Sequence, residues 1–150
     1  MINLKDALFK QCVAHVNTRL QTIQTIIYSH QKALSSETKS SAGDKHETGR
    51  AMLQLEMEKA VQQLASVQQM QQTLARVPIA KSSTSVRLGT IIETSSTHYF
   101  LSVSAGKLTV NEITYFAISP SSPIGQLLVG KQAGDIFHWN GKEIKINNVL

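Results

Sequence analysis

Two carboxylates three residues apart, Asp44 and Glu47, stand within Ser40-Ser41-Ala42-Gly43-Asp44-Lys45-His46-Glu47-Thr48-Gly49-Arg50, with Gly43 and Gly49 on either side. Lys45 and His46 lie between the acids, and Arg50 follows. This is the densest group of titratable side chains in the chain. Two readings of it are open. Ser, Gly, Asp and Lys are ordinary turn residues, and an acid in the first turn of a helix is favoured by the helix dipole. Alternatively the stretch is a working tip, held out in space by the elements before and after it. Little else in the chain offers chemistry. No nucleophile–base constellation, glycine-rich phosphate loop or metal-ligand spacing is visible, and the lone cysteine, Cys12, lies inside a helical pattern. One cysteine excludes an internal disulfide and a cysteine-based zinc site, and Cys12 reads as a small buried apolar residue.

The elements that position the stretch are two heptad patterns. Phe9, Val13, Val16, Leu20, Ile23, Ile27, His30 and Leu34 repeat at alternating steps of four and three, with His30 as the polar member. The spacing predicts a helix from residue 4 to about 36; about 30 residues at about 1.5 Å each span about 45 Å. His30 serves either to fix register or as a pH-sensitive group near the turn. A second seam, Leu53, Met57, Ala60, Leu64, Val67, Gln71 and Leu74, predicts a helix over about residues 47 to 76. Folding the chain back on itself pairs Leu34 with Leu53, His30 with Met57, and so on to Val13 with Leu74; in every pair the residue numbers sum to 87. One register thus satisfies every pair of an antiparallel coiled coil. Its centre of symmetry falls at the Gly43–Asp44 bond, so the acids sit at the far end of the hairpin. Pro78 stops the second helix. Lys81-Ser82-Ser83-Thr84-Ser85 reads as a linker.

From residue 86 the period changes. Strands are predicted at Val86–Ile92, Thr97–Val103, Lys107–Ile113, Asp135–Trp139 and Lys142–Val149, the last two joined by Asn140-Gly141, a strong hairpin signal. Ser122 before Pro123 opens a short apolar run that Gly130 ends, which predicts one or two helical turns. Trp139 reads as packing over the hairpin. His98 and His138 lie in strand patterns without a partner at metal-ligand spacing. The fold class expected is α+β: an N-terminal antiparallel coiled-coil hairpin over 1–78, a linker over 79–85, and a small antiparallel β domain with one short helix over 86–150.

Composition bounds the function. The apolar fraction of 41% supports a modest core, and aromatics at 5% suit a coiled coil built from aliphatic side chains. The net charge of +5 is spread evenly: residues 1–80 carry nine Lys/Arg against six Asp/Glu, and residues 81–150 six against four. No basic run tracks a phosphate backbone, so charge permits nucleic-acid proximity without arguing for it. The start of the chain lacks a signal-peptide pattern and no apolar run reaches the ~20 residues of a membrane span, so a cytoplasmic protein without membrane contact is expected.

Two blocks together carry a resemblance. Gly43-Asp44-Lys45-His46-Glu47 resembles the acidic hairpin tip of the bacterial Gre transcript-cleavage factors, whose pattern is Gly-Asp-x-x-Glu-Asn. Val86-Arg87-Leu88-Gly89, then Ser122-Pro123-Ile124-Gly125-Gln126-Leu127-Leu128-Val129-Gly130-Lys131, then Gly134-Asp135, resemble their FKBP-like domain. The order of hairpin and β domain matches, so the resemblance covers nearly the whole chain. It implies a transcription elongation factor acting within the DNA-binding transcription complex. The FKBP-like domain would dock on RNA polymerase through Ser122, Pro123, Ile124, Gly125, Lys131 and Asp135. The coiled coil would enter the secondary channel and reach the nascent RNA 3′ end. Asp44 and Glu47 would be the catalytic pair, holding Mg2+ jointly with polymerase, and Lys45, His46 and Arg50 would contact RNA or polymerase. The chain would have no independent enzymatic activity; it would stimulate the polymerase's own RNA cleavage, as a monomer. The tip departs from the family after Glu47: Thr48 stands where Asn is usual, and Gly49-Arg50-Ala51 replaces an acidic–aromatic pair. Two other functions therefore stay open: a secondary-channel regulator that does not cleave, and a coiled-coil adaptor unrelated to transcription.

Overall fold

The computed structural model describes residues 3–38 and 44–150, the side chains of 37, 38 and 44–47 excepted. Two long helices come first, α1 over Leu4–Thr38 and α2 over Asp44–Ala75, packed as a hairpin. α1 contains neither Pro nor Gly, and Asn3 Oδ1 accepts from the Lys5 N–H (3.0 Å), satisfying a donor of its first turn. α2 ends in a tightened turn, with the Arg76 N–H on Thr73 O (3.0 Å) and the Val77 N–H on Leu74 O (3.1 Å); Pro78 then has no N–H to continue it.

The chain divides into two compact units, Val16–Met70 and the remainder, which joins the residues up to His15 with Gln71–Leu150. Within Val16–Met70 the seam is visible in burial. Val16, Ile23, Ala60 and Val67 are buried, and Leu20, Ile27, His30, Leu34, Leu53, Met57 and Leu64 are half-buried. Arg19 Nη1 lies 3.4 Å from Met70 Sδ, a cross-hairpin contact between positions within two residues of the register expected from the heptads.

The other unit is a six-stranded sheet with helix ends on one face and a short helix on the other. The strands are β1 (Ile91–Thr94), β2 (His98–Leu101), β3 (Gly106–Val110), β4 (Ile113–Ile118), β5 (Ile136–Trp139) and β6 (Lys142–Val149), with α3 (Pro123–Leu128) between β4 and β5. Their order is β3-β4-β2-β1-β6-β5; every pairing is antiparallel except β2 with β4. The sheet is therefore mostly antiparallel, as the strand pattern predicts.

Register assigns the faces. Ile92, Tyr99, Leu101, Phe137, Ile144 and Ile146 point to one side and form a core with Val86, Ile124 and Leu128. Ile91, Phe100, Leu108, Tyr115 and Ala117 point to the other side and are also buried. The first turns of α1 meet that second side. Gln11 Nε2 donates to Thr109 O on β3 (2.9 Å), and Cys12 Sγ lies 3.5 Å from Ser102 Oγ, with Leu8 and Cys12 both fully buried.

Several predicted boundaries move. The predicted strand Val86–Ile92 starts only at Ile91: residues 87–90 form a turn, in which the Thr90 N–H bonds Arg87 O (3.0 Å) and Gly89 has φ +93°. A Cβ on Gly89 would stand 2.9 Å from Pro78 Cδ, so a side chain is excluded there by contact as well as by backbone conformation. The predicted strand Lys107–Ile113 is two strands, because Asn111 and Glu112 both adopt positive φ (51° and 66°) and reverse the chain. β4 was therefore absent from the prediction. The Asn140-Gly141 hairpin forms as expected, with φ 52° and 75°. Gln71 is exposed rather than a seam residue, while Leu74 is buried.

Candidate functional sites at the helical turn and the α3 loop

Residues 39–43 of the acidic stretch lie outside the described residues, as do the side chains of Asp44, Lys45, His46 and Glu47. The backbone is informative nonetheless. α2 begins at Asp44, three residues earlier than its seam predicts, so Asp44 and Glu47 fall in its first turn, one turn apart. A helix N-terminus carries about half a positive charge, which favours carboxylates there. Thr48 and Arg50 are exposed on the next turn, and Gly49 is half-buried. A glycine inside a helix costs about 1 kcal/mol relative to alanine, so the start of α2 is held less firmly than its middle. Among the described residues no three His, Cys, Asp or Glu side chains gather as a metal site.

The α3 loop is defined atom by atom. Ser122 is the N-cap: its Oγ accepts from the Gly125 N–H (3.1 Å) and donates to Ser119 O (2.7 Å). Pro123 occupies the first helical turn, where its missing N–H costs nothing. Ile124 and Leu128 are buried in the core beside Phe137. Gly125 is forced by space, since a Cβ would fall 2.1 Å from Ser119 O and 2.9 Å from Ser122 Oγ. Gly130 and Gly134 adopt φ of +86° and +94°, and Asp135 Oδ2 accepts from the Gln132 N–H (2.7 Å), closing the turn before β5. The half-buried Lys131 bonds through its backbone, its N–H to Leu128 O and its carbonyl from the Val86 N–H. Ser122, Ile124, Gly125 and Asp135 thus each have an internal task. Pro123, Gln126, Leu127 and Val129 face solvent.

Burial pushes the Cys12 thiol upward in pKa, and its contact with Ser102 only partly offsets that. His98 packs at a tilt against Tyr115 with centroids 5.6 Å apart, and its buried Nδ1 has no hydrogen-bond partner among the described residues. Trp139 packs partly buried against the core and lines a groove of about 360 Å3 with Tyr99, Phe116, Ile118 and Ile144. All five lie on the α3 side of the sheet. This groove was not legible in the residue pattern, because its walls come from four strands. Lys5 was also missed. It precedes the heptad seam, yet it is only 7% exposed. Among the described residues no helix is long and apolar enough to cross a membrane. No known family model matches the chain, and no curated protein matches it closely enough to be called a relative.

Proposed function

We propose that this protein is a Gre-type elongation factor that docks on RNA polymerase through its β domain and presents the α1–α2 turn in the secondary channel. The observation that carries the reading is the Ser122–Asp135 segment. Its pattern of Ser-Pro-Ile, glycines, Lys and Asp is the one named by the resemblance, and it occurs in a β domain that follows a helical hairpin. The acidic pair opening α2 is in keeping with it.

On this reading each part of the chain has a separate task. Ser122, Gly125 and Asp135 shape the α3 loop, and Ile124 anchors it, so that Pro123, Leu127 and Val129 meet the partner with Lys131 beside them. Apolar groups already in a fixed turn lose little freedom on docking. At the other end Asp44 and Glu47 offer carboxylate oxygens, the ligand type Mg2+ requires. Two side chains fill at most part of an octahedral shell, so the polymerase must complete it. The ion, when so bound, would activate water toward a phosphodiester of backtracked RNA. Arg50, exposed one turn after Glu47, would on this reading pair with an RNA phosphate, and Lys45 and His46 stand between the acids in sequence.

A second reading, a channel-binding regulator that does not cleave, is favoured by one observation: Thr48-Gly49-Arg50 follows Glu47 in place of the family's residues. Both readings require polymerase binding. The test is affinity for the cognate core polymerase, comparing the native chain with Leu127→Asp. The native chain should bind, and the variant should weaken by about tenfold or more, as for a charge placed against an apolar contact. A native chain that shows no binding removes both readings and leaves the adaptor function.

A further inference from the structure

In the sheet-bearing unit a cavity of about 280 Å3 opens between the start of α1, the segment after α2, the start of β1 and the residue that follows β6; Leu4, Lys5, Ile79, Lys81, Ile91 and Leu150 are among the residues that line it. Four of these six are aliphatic. The other two are lysines, and they differ in kind. Lys81 is exposed at the rim, whereas Lys5 is almost wholly buried. Lys5 Nζ donates one hydrogen bond, to Lys81 O at 2.9 Å. An ammonium carries three donors. Among the described residues no carboxylate forms an ion pair with it, since the ion pairs there are Lys10–Asp6 and Lys59–Glu56. Burial drives the Lys5 pKa down, and the nearby Arg87 cation adds to that.

An ammonium held out of water without a counter-charge is unfavourable, and a neutral donor could hold the Lys81 carbonyl equally well. The arrangement makes physical sense if the charge is met from outside. We propose that this pocket binds a small organic anion, a carboxylate or phosphate carrying a short apolar group, with Lys5 and Lys81 as counter-charges and Leu4, Ile79 and Ile91 around the apolar part. The first N–H groups of α1 contribute little, because Asn3 Oδ1 already takes the Lys5 N–H. The volume lies just below the ~300–1,000 Å3 of drug-sized sites, which limits the ligand to a few heavy atoms beyond its headgroup. The site is independent of the acidic turn and of polymerase docking.

The test is a 15N–1H correlation titration of the full chain with sodium hexanoate, butyl phosphate and inorganic phosphate, at constant ionic strength against sodium chloride. The expected result is saturable shifts at the amides of Leu4, Lys5, Lys81 and Ile91 with hexanoate or butyl phosphate. Whichever of the two binds tighter identifies the headgroup, and weaker binding of inorganic phosphate shows that the apolar walls contribute. Lys5→Met should weaken binding by about tenfold or more and Lys81→Gln by a smaller factor, as for loss of a buried and a rim charge respectively. Shifts no larger than those with chloride overturn the proposal, as does binding unchanged in Lys5→Met. Should Lys5→Met fail to fold, the exposed Lys81→Gln decides: unchanged affinity there overturns the proposal too.

Discussion

Gly125→Ala separates two opposed effects whose sizes can be worked out. In an open helix the change gains about 1 kcal/mol, because alanine loses less backbone entropy than glycine. Here the new methyl would lie 2.1 Å from Ser119 O, a backbone atom that cannot swing away, and 2.9 Å from Ser122 Oγ. Relief requires moving the 119–122 segment by about an ångström. That movement strains the Ser122 Oγ bonds to Ser119 O (2.7 Å) and from the Gly125 N–H (3.1 Å), which together form the cap of α3. Overpacking costs about 1–3 kcal/mol and a lost cap about 1 kcal/mol. Set against the gain, the net loss is about 1–3 kcal/mol, or roughly 2–12 °C in Tm for a chain of this size. Ser122→Ala, which removes only the cap, should cost about 1 kcal/mol. Thermal melts followed by circular dichroism and by Trp139 fluorescence measure both variants. A Gly125→Ala protein as stable as the native one, or more stable, refutes the reasoning, since the propensity gain would then be unopposed.

Other perturbations address other parts of the fold. Glu112→Gly should raise stability by up to about 1 kcal/mol, because Glu112 holds φ +66° in a two-residue turn that suits Asn-Gly; a lower urea midpoint contradicts this. Cys12 should react with a thiol-specific disulfide reagent only as fast as the fold opens, since it is fully buried and its thiol pKa is raised; reaction at the rate of a free thiol in native buffer argues against that burial. The pKa of Lys5 is lowered from 10.5, so between its folded value and 10.5 the unfolded chain binds more protons and the Lys5 contribution to stability rises with pH. Tyr99, Tyr115 and Cys12 are shifted upward and act in the opposite sense, losing stability as pH climbs past 10.0 for the tyrosines and 9.0 for the thiol. The Lys5 effect is therefore read as native minus Lys5→Met in urea unfolding across the alkaline range. A difference that falls with pH contradicts the assignment.

The helices, the Asn140-Gly141 hairpin and the Ser122-capped turn were legible because each rests on local rules: a heptad, a turn dipeptide, a cap before proline. What was illegible depends on contacts distant in sequence. A heptad names one stripe, but the first turns of α1 also bury Leu8, which the seam through Phe9 and Val13 does not predict; Cys12, read in sequence as a small buried residue, is buried, and its contact with Ser102 is what the sequence did not show. β4 was hidden because its turn places Glu112, not a glycine, at positive φ. Lys5 reads as an ordinary solvated lysine beside Asp6 until β1 and the segment after α2 close over it. The Ser122–Asp135 motif was legible as a pattern, yet most of its residues prove to have internal tasks, and the solvent-facing Leu127 and Val129 draw no notice in sequence. The acidic turn is the converse case: its residue types stand out in sequence, and its geometry beyond the start of α2 lies outside the described residues.

The central claim is that Asp44 and Glu47 serve RNA cleavage by polymerase. The most direct measurement is release of short 3′ RNA fragments from a stalled, backtracked elongation complex of the cognate polymerase with Mg2+, comparing the native protein with the Asp44→Ala/Glu47→Ala variant. The account predicts fragments with the native protein and only the polymerase's own slow cleavage with the variant. Equal cleavage with both, or native protein that binds the complex and accelerates nothing, contradicts it.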